Sequence, residues 1–361
     1  MLGVGPATRT LAQLTVRRTV EATLDLGTGS GIQALLATRH STRVVGVDIN
    51  PRALRLARLS AALNGNESVE WLQGDLYEPV GDERFDLVVA NPPFIVSPAR
   101  EFLFRDGGLE GDELSRAVVT GATARLREGG FAHVLCSWVS EPSRPWSQTP
   151  RRWLRDSGCD AWLLHDGTDT PTTYAMRWNR RSGRAPAATA AAAEQWLDYY
   201  RTRGIEAISS GSLVLRRRSG RNWVREDELG RRPLGQGGAH VERVFAAQDF
   251  LEGLATDRDL LDAVLERAPE TWLIERRDSG GTLERARLAV AEGVPVTGRI
   301  PPACLPVVGA LDGRRTLREI LDRGGRASMD EALPVVRELV ALGLVTPTAR
   351  GPAQPRRARG G

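Results

Sequence analysis

The chain has 361 residues, enough for two domains that each bury an apolar core, and its composition is 41% hydrophobic with a formal net charge of +4. No apolar run approaches the ~18 residues that cross a bilayer, and the first residues lack a secretory pattern, so we predict a cytoplasmic protein without membrane contact. Three scattered cysteines and four scattered histidines predict neither a disulfide framework nor a metal site.

Arginine accounts for all 49 basic residues, which together with abundant alanine and glycine is typical of a GC-rich, bacterial genome. The arginines are unevenly distributed. Residues 144–225 carry 15 arginines against 7 acidic residues, whereas residues 1–143 carry 14 against 17 and residues 227–361 carry 20 against 20. The middle segment is therefore the part of the chain whose charge favours an anionic partner.

Short apolar strands alternate with helical patterns between residues 22 and 137, which predicts an α/β fold. The expected sheet is open, seven-stranded and mostly parallel, with helices on both faces. Asn50 and Pro51 predict the start of one helix, and Asn64-Gly65 predicts its end. The predicted strands are 22–26, 43–47, 69–72, 86–90, 131–138, 159–164 and 212–217, and later helices are 150–156 and 194–203, the latter after a loop at 182–193.

A second domain is predicted after the sheet. We place the first domain at residues 1–226, a mainly helical α+β accessory domain at 227–347, and a disordered tail at 348–361 that is rich in proline, glycine and arginine. The end of the accessory domain, residues 311–345, has a winged-helix-like pattern. Its predicted helices are 240–254, 259–267, 302–311, 315–323 and 329–342, and its predicted strands are 272–275 and 283–290.

A glycine-rich turn follows the first predicted strand and opens a helix. From Asp25 to Gly31 it reads Asp-Leu-Gly-Thr-Gly-Ser-Gly. Glycines permit a sharp turn and a close approach of backbone to ligand at a helix N-terminus, so a nucleotide-like ligand is expected. A nicotinamide site is the chief alternative, but its fingerprint requires a third glycine at position 32, where the chain has Ile32. Asp48, at the end of the second strand, suits the hydroxyls of a ribose.

The turn Asn91-Pro92-Pro93-Phe94 directly follows the fourth predicted strand. It resembles the (Asn/Asp/Ser)-Pro-Pro-(Tyr/Phe/Trp) motif of class I, Rossmann-like methyltransferases that act on planar nitrogen and use S-adenosyl-L-methionine. The spacing of the glycine-rich turn resembles motif I of the same class. The resemblance covers residues 1–217 and is closest to the small-domain type, which includes release-factor glutamine and rRNA N-methyltransferases.

The resemblance implies a catalytic role for all four residues of this turn. The lone pair of an amide or exocyclic amine is delocalised, so the nitrogen must be held for attack. The Asn91 side-chain oxygen and the Pro92 carbonyl would each accept one N–H of the acceptor nitrogen, Pro93 would stiffen the turn, and Phe94 would stack on the flat acceptor.

The same resemblance implies a set of residues that line S-adenosylmethionine: Thr8, Asp25, Gly27, Thr28, Gly29, Gly31, Asp48, Ile49, Asp75, Leu76 and Asn91. Asp75 would contact the adenine amino group. Residues 105–109, Arg-Asp-Gly-Gly-Leu, resemble a stretch that borders the acceptor entrance in the glutamine methyltransferases. Relatives of this type carry a substrate-recruiting domain before the core, whereas this chain starts about twenty residues ahead of the first strand. We therefore expect either that the gene product is short or that substrate recognition lies in residues 227–361.

Three functions remain open from the sequence. The first is N-methylation of RNA or another nucleic acid, favoured by the basic middle segment and by Arg216, Arg217, Arg218 and Arg221. The second is N-methylation of a protein or peptide glutamine, or of a small metabolite, with the accessory domain as a docking module. The third is a non-catalytic regulator that binds the cofactor.

Overall fold

The computed structural model describes residues 4–98, 110–180, 185–229, 235–323 and 327–348. The chain divides into two units, Met1–Arg231 and Arg232–Gly361. Among the described residues, none of the helices combines the length and apolarity that spanning a membrane requires.

The first unit is built on one eight-stranded sheet. Its strands are β1 (Val20–Leu26), β2 (Ser41–Asp48), β3 (Val69–Gln73), β4 (Phe85–Ala90), β5 (Leu126–Ser140), β6 (Cys159–Asp169), β7 (Ala207–Arg217) and β8 (Val224–Glu228). The order across the sheet is β3-β2-β1-β4-β5-β7-β6-β8, and only β7 runs antiparallel to its neighbours. The predicted α/β class with a mostly parallel sheet is confirmed.

Seven α-helices accompany the sheet. They are α1 (Pro6–Leu14), α2 (Ile32–Ala37), α3 (Pro51–Leu63), α4 (Glu113–Ala124), α5 (Gln148–Trp153), α6 (Pro171–Arg180) and α7 (Pro186–Arg203), with a short 3-10 helix at Glu78–Val80, all among the described residues. The predicted start of α3 is correct, because the Asn50 side chain accepts a hydrogen bond from the Arg52 N–H at 3.0 Å and Pro51 is the first helical residue.

Apolar side chains cover both faces of the sheet. On β5, Val134, Cys136 and Trp138 belong to one core cluster, whereas Val139 packs with another cluster around Tyr174 and Tyr200. Successive strand residues point to opposite faces, so β5 is buried on both sides. This explains why the central strands read as continuous apolar runs in the sequence.

The sequence predicted seven strands for this sheet, whereas the sheet has eight. The missed strand, β8, lies at the sheet edge beside β6, and its sequence Val-Arg-Glu-Asp-Glu has no apolar alternation. Two side-chain hydrogen bonds hold it: Trp162 Nε1 donates to Asp227 at 2.7 Å, and His165 Nδ1 lies 2.8 Å from the Glu228 carboxylate. The predicted boundary after residue 226 cuts through this strand, and the first unit extends beyond it.

A helical hairpin separates β6 from β7. The prediction of a loop at 182–193 was wrong from residue 186 onward, because α7 starts at Pro186 and includes the whole alanine run. Alanine has the highest helix propensity, and proline is favoured at the first helical position. Helix α6 was not predicted at all. Together α6 and α7 form a helical hairpin, hereafter the α6–α7 hairpin.

The second unit contains helices α8 (Gly238–Gly253), α9 (Asp257–Leu261), α10 (Leu305–Gly309), α11 (Leu317–Asp322) and α12 (Met329–Ala341), with a 3-10 helix at Pro302–Cys304. Its strands are β9 (Val264–Arg267), β10 (Thr271–Arg277), β11 (Leu283–Val290), β12 (Thr297–Ile300), β13 (Asp312–Thr316) and β14 (Val345–Pro347). They form two sheets of three strands, β10-β11-β12 and β13-β9-β14. The predicted helix 259–267 was wrong in its second half, where β9 pairs on both sides with β13 and β14.

The arginines of the basic middle segment are largely paired within the first unit. Arg216 is buried against Asp160, and Arg217 donates to the carbonyl oxygens of Thr123 and Ser157. Further ion pairs join Arg144 to Glu141, Arg151 to Glu226, Arg177 to Asp169, Arg201 to Asp198, Arg203 to Glu110, Arg218 to Asp160 and Arg225 to Asp227. These pairs take up much of the excess of arginine in this segment, and they leave Arg152, Arg155, Arg180 and Arg221 exposed without an ion pair to a described residue.

Candidate functional site

The glycine-rich turn leaves β1 at its carboxyl end, in the middle of the sheet. Gly27, Gly29 and Gly31 all have positive φ angles, +68°, +59° and +83°. L-amino acids with a side chain rarely adopt such angles, so glycine is required by the backbone path itself. The Thr28 N–H donates to the Val47 carbonyl at 2.9 Å, which fixes the turn against the neighbouring β2.

Asp25 organises this turn from inside. Its side chain is buried, and one carboxylate oxygen accepts hydrogen bonds from the Thr28 hydroxyl at 2.5 Å and from the Ala34 N–H at 2.9 Å. Thr28 lies in the turn and Ala34 in the first turn of α2, so the carboxylate ties both ends of the loop together. These contacts give Asp25 a positioning role within the turn, and its contact with the cofactor stays a prediction.

Burial raises the pKa of Asp25 from 3.8 to about 6, with the hydrogen bonds from Thr28 and Ala34 opposing the shift and Asp48 adding to it. The folded state therefore binds this proton more tightly than the unfolded chain does. The free energy of unfolding therefore decreases as pH rises from 3.8 to about 6. Above about pH 6 the whole decrease, about 3 kcal/mol, is present.

Asp25→Asn should therefore stabilise the fold, because a neutral amide oxygen can still accept both hydrogen bonds without a buried charge. We expect the gain in unfolding free energy to reach about 2 to 3 kcal/mol near pH 8 and to shrink to about 1 kcal/mol near pH 4.5. Urea denaturation at the two pH values measures both. A gain that does not depend on pH would contradict a raised pKa.

Gly31 is required for packing as well as for its φ angle. A Cβ at this position would lie 2.8 Å from the Trp71 ring and 3.2 Å from the Ala57 Cβ. The missing side chain therefore makes room for side chains of β3 and α3, and the predicted contact of the Gly31 backbone with a ligand stays a prediction. The glycine allows α2 to pack against the neighbouring elements.

Gly31→Ala should lower the unfolding free energy by about 2 to 5 kcal/mol, the sum of left-handed strain and overpacking. Gly65 provides the matched control, since its φ is +62° but a Cβ there would meet nothing within 4 Å. Gly65→Ala should cost only about 1 to 2 kcal/mol. Chemical denaturation of both variants tests this, and equal losses would show that the contacts with Trp71 and Ala57 do not matter.

Asp48 lies beside the glycine-rich turn at the end of β2. One carboxylate oxygen accepts from the Gly29 N–H at 2.9 Å and the other from the Asn50 N–H at 2.8 Å. The side chain is half-buried. An ionised carboxylate offers about four acceptor positions, so one on each oxygen remains for the two hydroxyls of a ribose. The adjacent Ile49 is 54% exposed, which suits an apolar residue that a flat ligand would cover.

Asp75 and Leu76 follow β3, the strand next to β2. The Gly74 N–H donates to the Asp48 carbonyl at 3.3 Å, which brings this segment to the end of β2. Asp75 is exposed, and Leu76 is half-buried against the core with a φ of +45°. A leucine in the left-handed region is strained, and such strain concentrates at functional sites. The sequence contained no signal for this conformation.

The turn Asn91–Phe94 leaves β4, which pairs in parallel with β1, with Ala90 opposite Leu26. A Cβ on Gly27 would lie 3.8 Å from the Pro92 Cα, so the two turns are in contact. The Phe94 N–H donates to the Pro92 carbonyl at 2.8 Å, which closes a tight turn and leaves that oxygen one acceptor position. Pro92 is buried, and Asn91, Pro93 and Phe94 are half-buried.

The α6–α7 hairpin fixes the segment after this turn. The Val96 N–H donates to the Tyr174 hydroxyl at 3.3 Å, and the Tyr200 hydroxyl donates to the Val96 carbonyl at 2.7 Å. Phe94 packs against the apolar cluster that contains both tyrosines. Further along the chain, the Gly111 N–H donates to the Tyr199 hydroxyl at 2.8 Å. Sequence reasoning missed these tyrosines, although the four-residue spacing of Trp196 and Tyr200 is a helical signal.

Tyr174→Phe and Tyr200→Phe should each leave one buried backbone group of Val96 without a partner. We expect a loss of about 1 to 3 kcal/mol in unfolding free energy and a lower kcat for a reaction at the Asn91–Phe94 turn, with ligand affinity at the glycine-rich turn unchanged. Tyr77→Phe is the control, because the buried Tyr77 hydroxyl donates to the Val118 carbonyl in the core. If Tyr77→Phe lowers kcat as much at equal stability loss, the two tyrosines do not position the turn.

Thr8 lies in α1, where its carbonyl accepts a hydrogen bond from Gln33 Nε2 at 2.9 Å. Gln33 is in the first turn of α2, so α1 reaches the helix that the glycine-rich turn opens. Residues 105–109, expected to border the acceptor entrance, lie outside the described residues. In the described part of the chain, no group of three or more His, Cys, Asp and Glu side chains could hold a metal ion.

Comparison with known proteins relates the first unit to a known family. Residues 3–137 match the model of the methyltransferase small domain, which confirms the resemblance found in the sequence. The release factor glutamine methyltransferase of Geobacter sulfurreducens is 38% identical over 126 residues, covering 31% of this chain and 44% of that protein. The ribosomal protein uL3 glutamine methyltransferase of Bradyrhizobium diazoefficiens is 36% identical over 124 residues, covering 31% and 39%. The match thus spans less than half the length of these two relatives.

Among solved structures, the 16S rRNA N2 G1207 methyltransferase of T. Thermophilus in complex with AdoMet and guanosine is 26% identical, with a TM-score of 0.31 and coverage of 44% of this chain and 40% of that chain. The family match and the named relatives support the predicted enzyme class, a methyltransferase that uses S-adenosylmethionine. The names of the two relatives state protein glutamine as the acceptor, which was the alternative in the sequence analysis, and not nucleic acid.

Proposed function

We propose that this chain, whose residues 3–137 match the methyltransferase small domain, is an S-adenosylmethionine-dependent N-methyltransferase that modifies the side-chain amide of a protein glutamine. The contact between Gly27 and Pro92 carries the proposal, because it brings the glycine-rich turn and the Asn-Pro-Pro-Phe turn together at the carboxyl ends of β1 and β4. In open α/β sheets, ligands bind at this edge.

The residues present fit the cofactor. Gly27 and Gly29 offer backbone without side chains, and Asp48 has an acceptor position left on each oxygen for the ribose hydroxyls. The exposed Ile49 and the segment of Asp75 and Leu76 provide an apolar and a polar contact for the adenine. When bound, S-adenosylmethionine supplies an activated methyl group on its sulfonium.

The turn after β4 suits an amide acceptor. The half-buried Asn91 side chain and the remaining acceptor position on the Pro92 carbonyl provide two oxygens for the two N–H groups of a primary amide. Holding both N–H groups orients the nitrogen lone pair, and Phe94 provides a flat surface for the amide plane. Methyl transfer disperses a charge without creating one, so positioning suffices and no strong base is required.

A protein acceptor is favoured over nucleic acid for two reasons. The relatives act on release factors and on a ribosomal protein according to their names. In addition, the basic middle segment, which was the sequence argument for a nucleic-acid acceptor, forms ion pairs inside the first unit.

The test is to incubate the purified chain with methyl-tritiated S-adenosylmethionine and extract from its own cells. We expect label in protein that survives nuclease treatment. Acid hydrolysis cleaves an N-methylamide and releases the label as methylammonium, which becomes volatile methylamine when the hydrolysate is made alkaline. Label that nuclease removes would contradict the protein acceptor. Tight cofactor binding without label in any fraction would support the non-catalytic regulator instead.

A further inference from the structure

One face of the sheet β10-β11-β12 in the second unit is strongly basic. In the antiparallel register, Arg276 lies directly opposite Arg285, and Arg287 lies directly opposite Arg299. Trp272 on β10 is on the same face and is 61% exposed. Residues directly opposite each other, and residues two apart along a strand, point to the same face. We call this surface the Trp272 face.

The opposite face of the sheet belongs to the core of the second unit. Leu288 and Ile300 are buried there, and a Cβ on Gly298 would lie 2.2 Å from the Leu339 side chain of α12. The sheet can therefore offer only the Trp272 face to a partner. All four arginines on this face are exposed.

The charges on the Trp272 face are unbalanced. Arg276 forms an ion pair with Glu284 at 3.0 Å, but Arg285, Arg287 and Arg299 form no ion pair with any described residue. Like charges directly opposite each other on neighbouring strands destabilise a sheet. A ligand with several negative charges would relieve this repulsion.

We propose that the Trp272 face binds single-stranded RNA, with phosphates on the arginines and a base stacked on the indole of Trp272. Alternate residues of β11 place Arg285 and Arg287 about 6.8 Å apart along the strand, a row that suits a chain of phosphates. A positively charged surface with an exposed aromatic ring is the general solution for single strands, because every base has a face that stacks. In a duplex the bases are already stacked and cannot meet the indole.

Two other partners fit less well. An acidic polypeptide satisfies the arginines but offers carboxylates and no base to stack on the ring. An anionic lipid surface requires a wider apolar area, and among the described residues Trp272 is the only exposed large hydrophobic side chain on this sheet. RNA binding by the second unit is independent of the proposed glutamine acceptor in the first.

The experiment measures fluorescence anisotropy of a labelled, unstructured RNA of about 12 nucleotides with the full chain, without cofactor. We expect Arg287→Glu with Arg299→Glu to weaken binding at least tenfold and to reduce the slope of log K against log salt by about 0.7 for each phosphate that the variant no longer binds. Trp272→Ala should weaken binding about fivefold or more, and Trp272→Phe should retain most of it.

The matched control is Arg314→Glu with Arg323→Glu, which changes net charge equally at exposed arginines outside the Trp272 face. Circular dichroism checks that all variants fold. The proposal is overturned if the control double variant weakens binding as much, if Trp272→Ala has no effect, or if poly-glutamate or phosphatidylserine vesicles compete as well as unlabelled RNA. Absence of measurable RNA binding at low salt would also overturn it.

Discussion

Asn91→Ala should lower kcat for methyl transfer about 100- to 1,000-fold, the loss typical of removing one preorganised hydrogen-bonding group from a reacting centre. The side chain of Asn91 is half-buried at the start of the turn that contacts Gly27 through Pro92. Without its oxygen, one N–H of the acceptor amide is no longer held. Steady-state kinetics with labelled cofactor measures the change.

Cofactor affinity separates this effect from misfolding. We expect the dissociation constant of S-adenosylmethionine for Asn91→Ala, measured by calorimetry, to stay within a few fold of the original, because Asp48 and the glycine-rich turn are unchanged. Asn64→Ala, at an exposed helix end, should leave both quantities unaltered. Undiminished turnover in Asn91→Ala would remove the basis for the proposed reaction.

Asp160→Ala should destabilise the first unit by about 3 to 5 kcal/mol, the cost of leaving buried cations without their partner. The carboxylate is fully buried, 2.7 Å from Arg216 Nη2 and 3.0 Å from Arg218 Nε. Its second oxygen accepts from Asn222 Nδ2 at 3.3 Å and from the Trp223 N–H at 3.2 Å. One carboxylate thus joins the ends of β6 and β7 to the segment that leads into β8.

The comparison variant is Asp198→Ala. Asp198 pairs with Arg201 on the surface of α7, where both side chains are more than 70% exposed. Exposed pairs contribute at most about 1 kcal/mol, so thermal and urea unfolding should barely change. If both alanine variants unfold alike, the buried cluster around Asp160 does not stabilise the sheet as its geometry indicates.

The sequence predicted the central sheet well because its strands are buried on both faces and read as apolar runs flanked by turn residues. It failed where pairing outweighs local preference. The polar β8 is held by β6 and by side-chain hydrogen bonds from Trp162 and His165, and β9 is held between two partners. Neither strand has an alternating apolar pattern that a reader of the sequence could find.

For the site, the sequence located the two turns because each has a local motif. It could not find Tyr174 and Tyr200, whose contacts with Val96 span 78 and 104 residues of chain. The sequence also did not show which arginines are exposed on the folded protein. The conspicuous run Arg216–Arg218 is largely enclosed, whereas Arg285 and Arg287 alternate in a segment whose overall charge is balanced.

The position of β8 at the edge of the sheet decides how the first unit can be produced alone. A chain shortened before Val224 would leave the backbone N–H and C=O groups of β6 unpaired along Ala161–His165, beside a row of buried apolar side chains. Such an open edge is a template on which a second molecule can add its own strand, the first step of aggregation. The charged side chains of β8 keep this edge of the sheet soluble. A fragment that contains the first unit should therefore include all of β8 and end beyond Glu228.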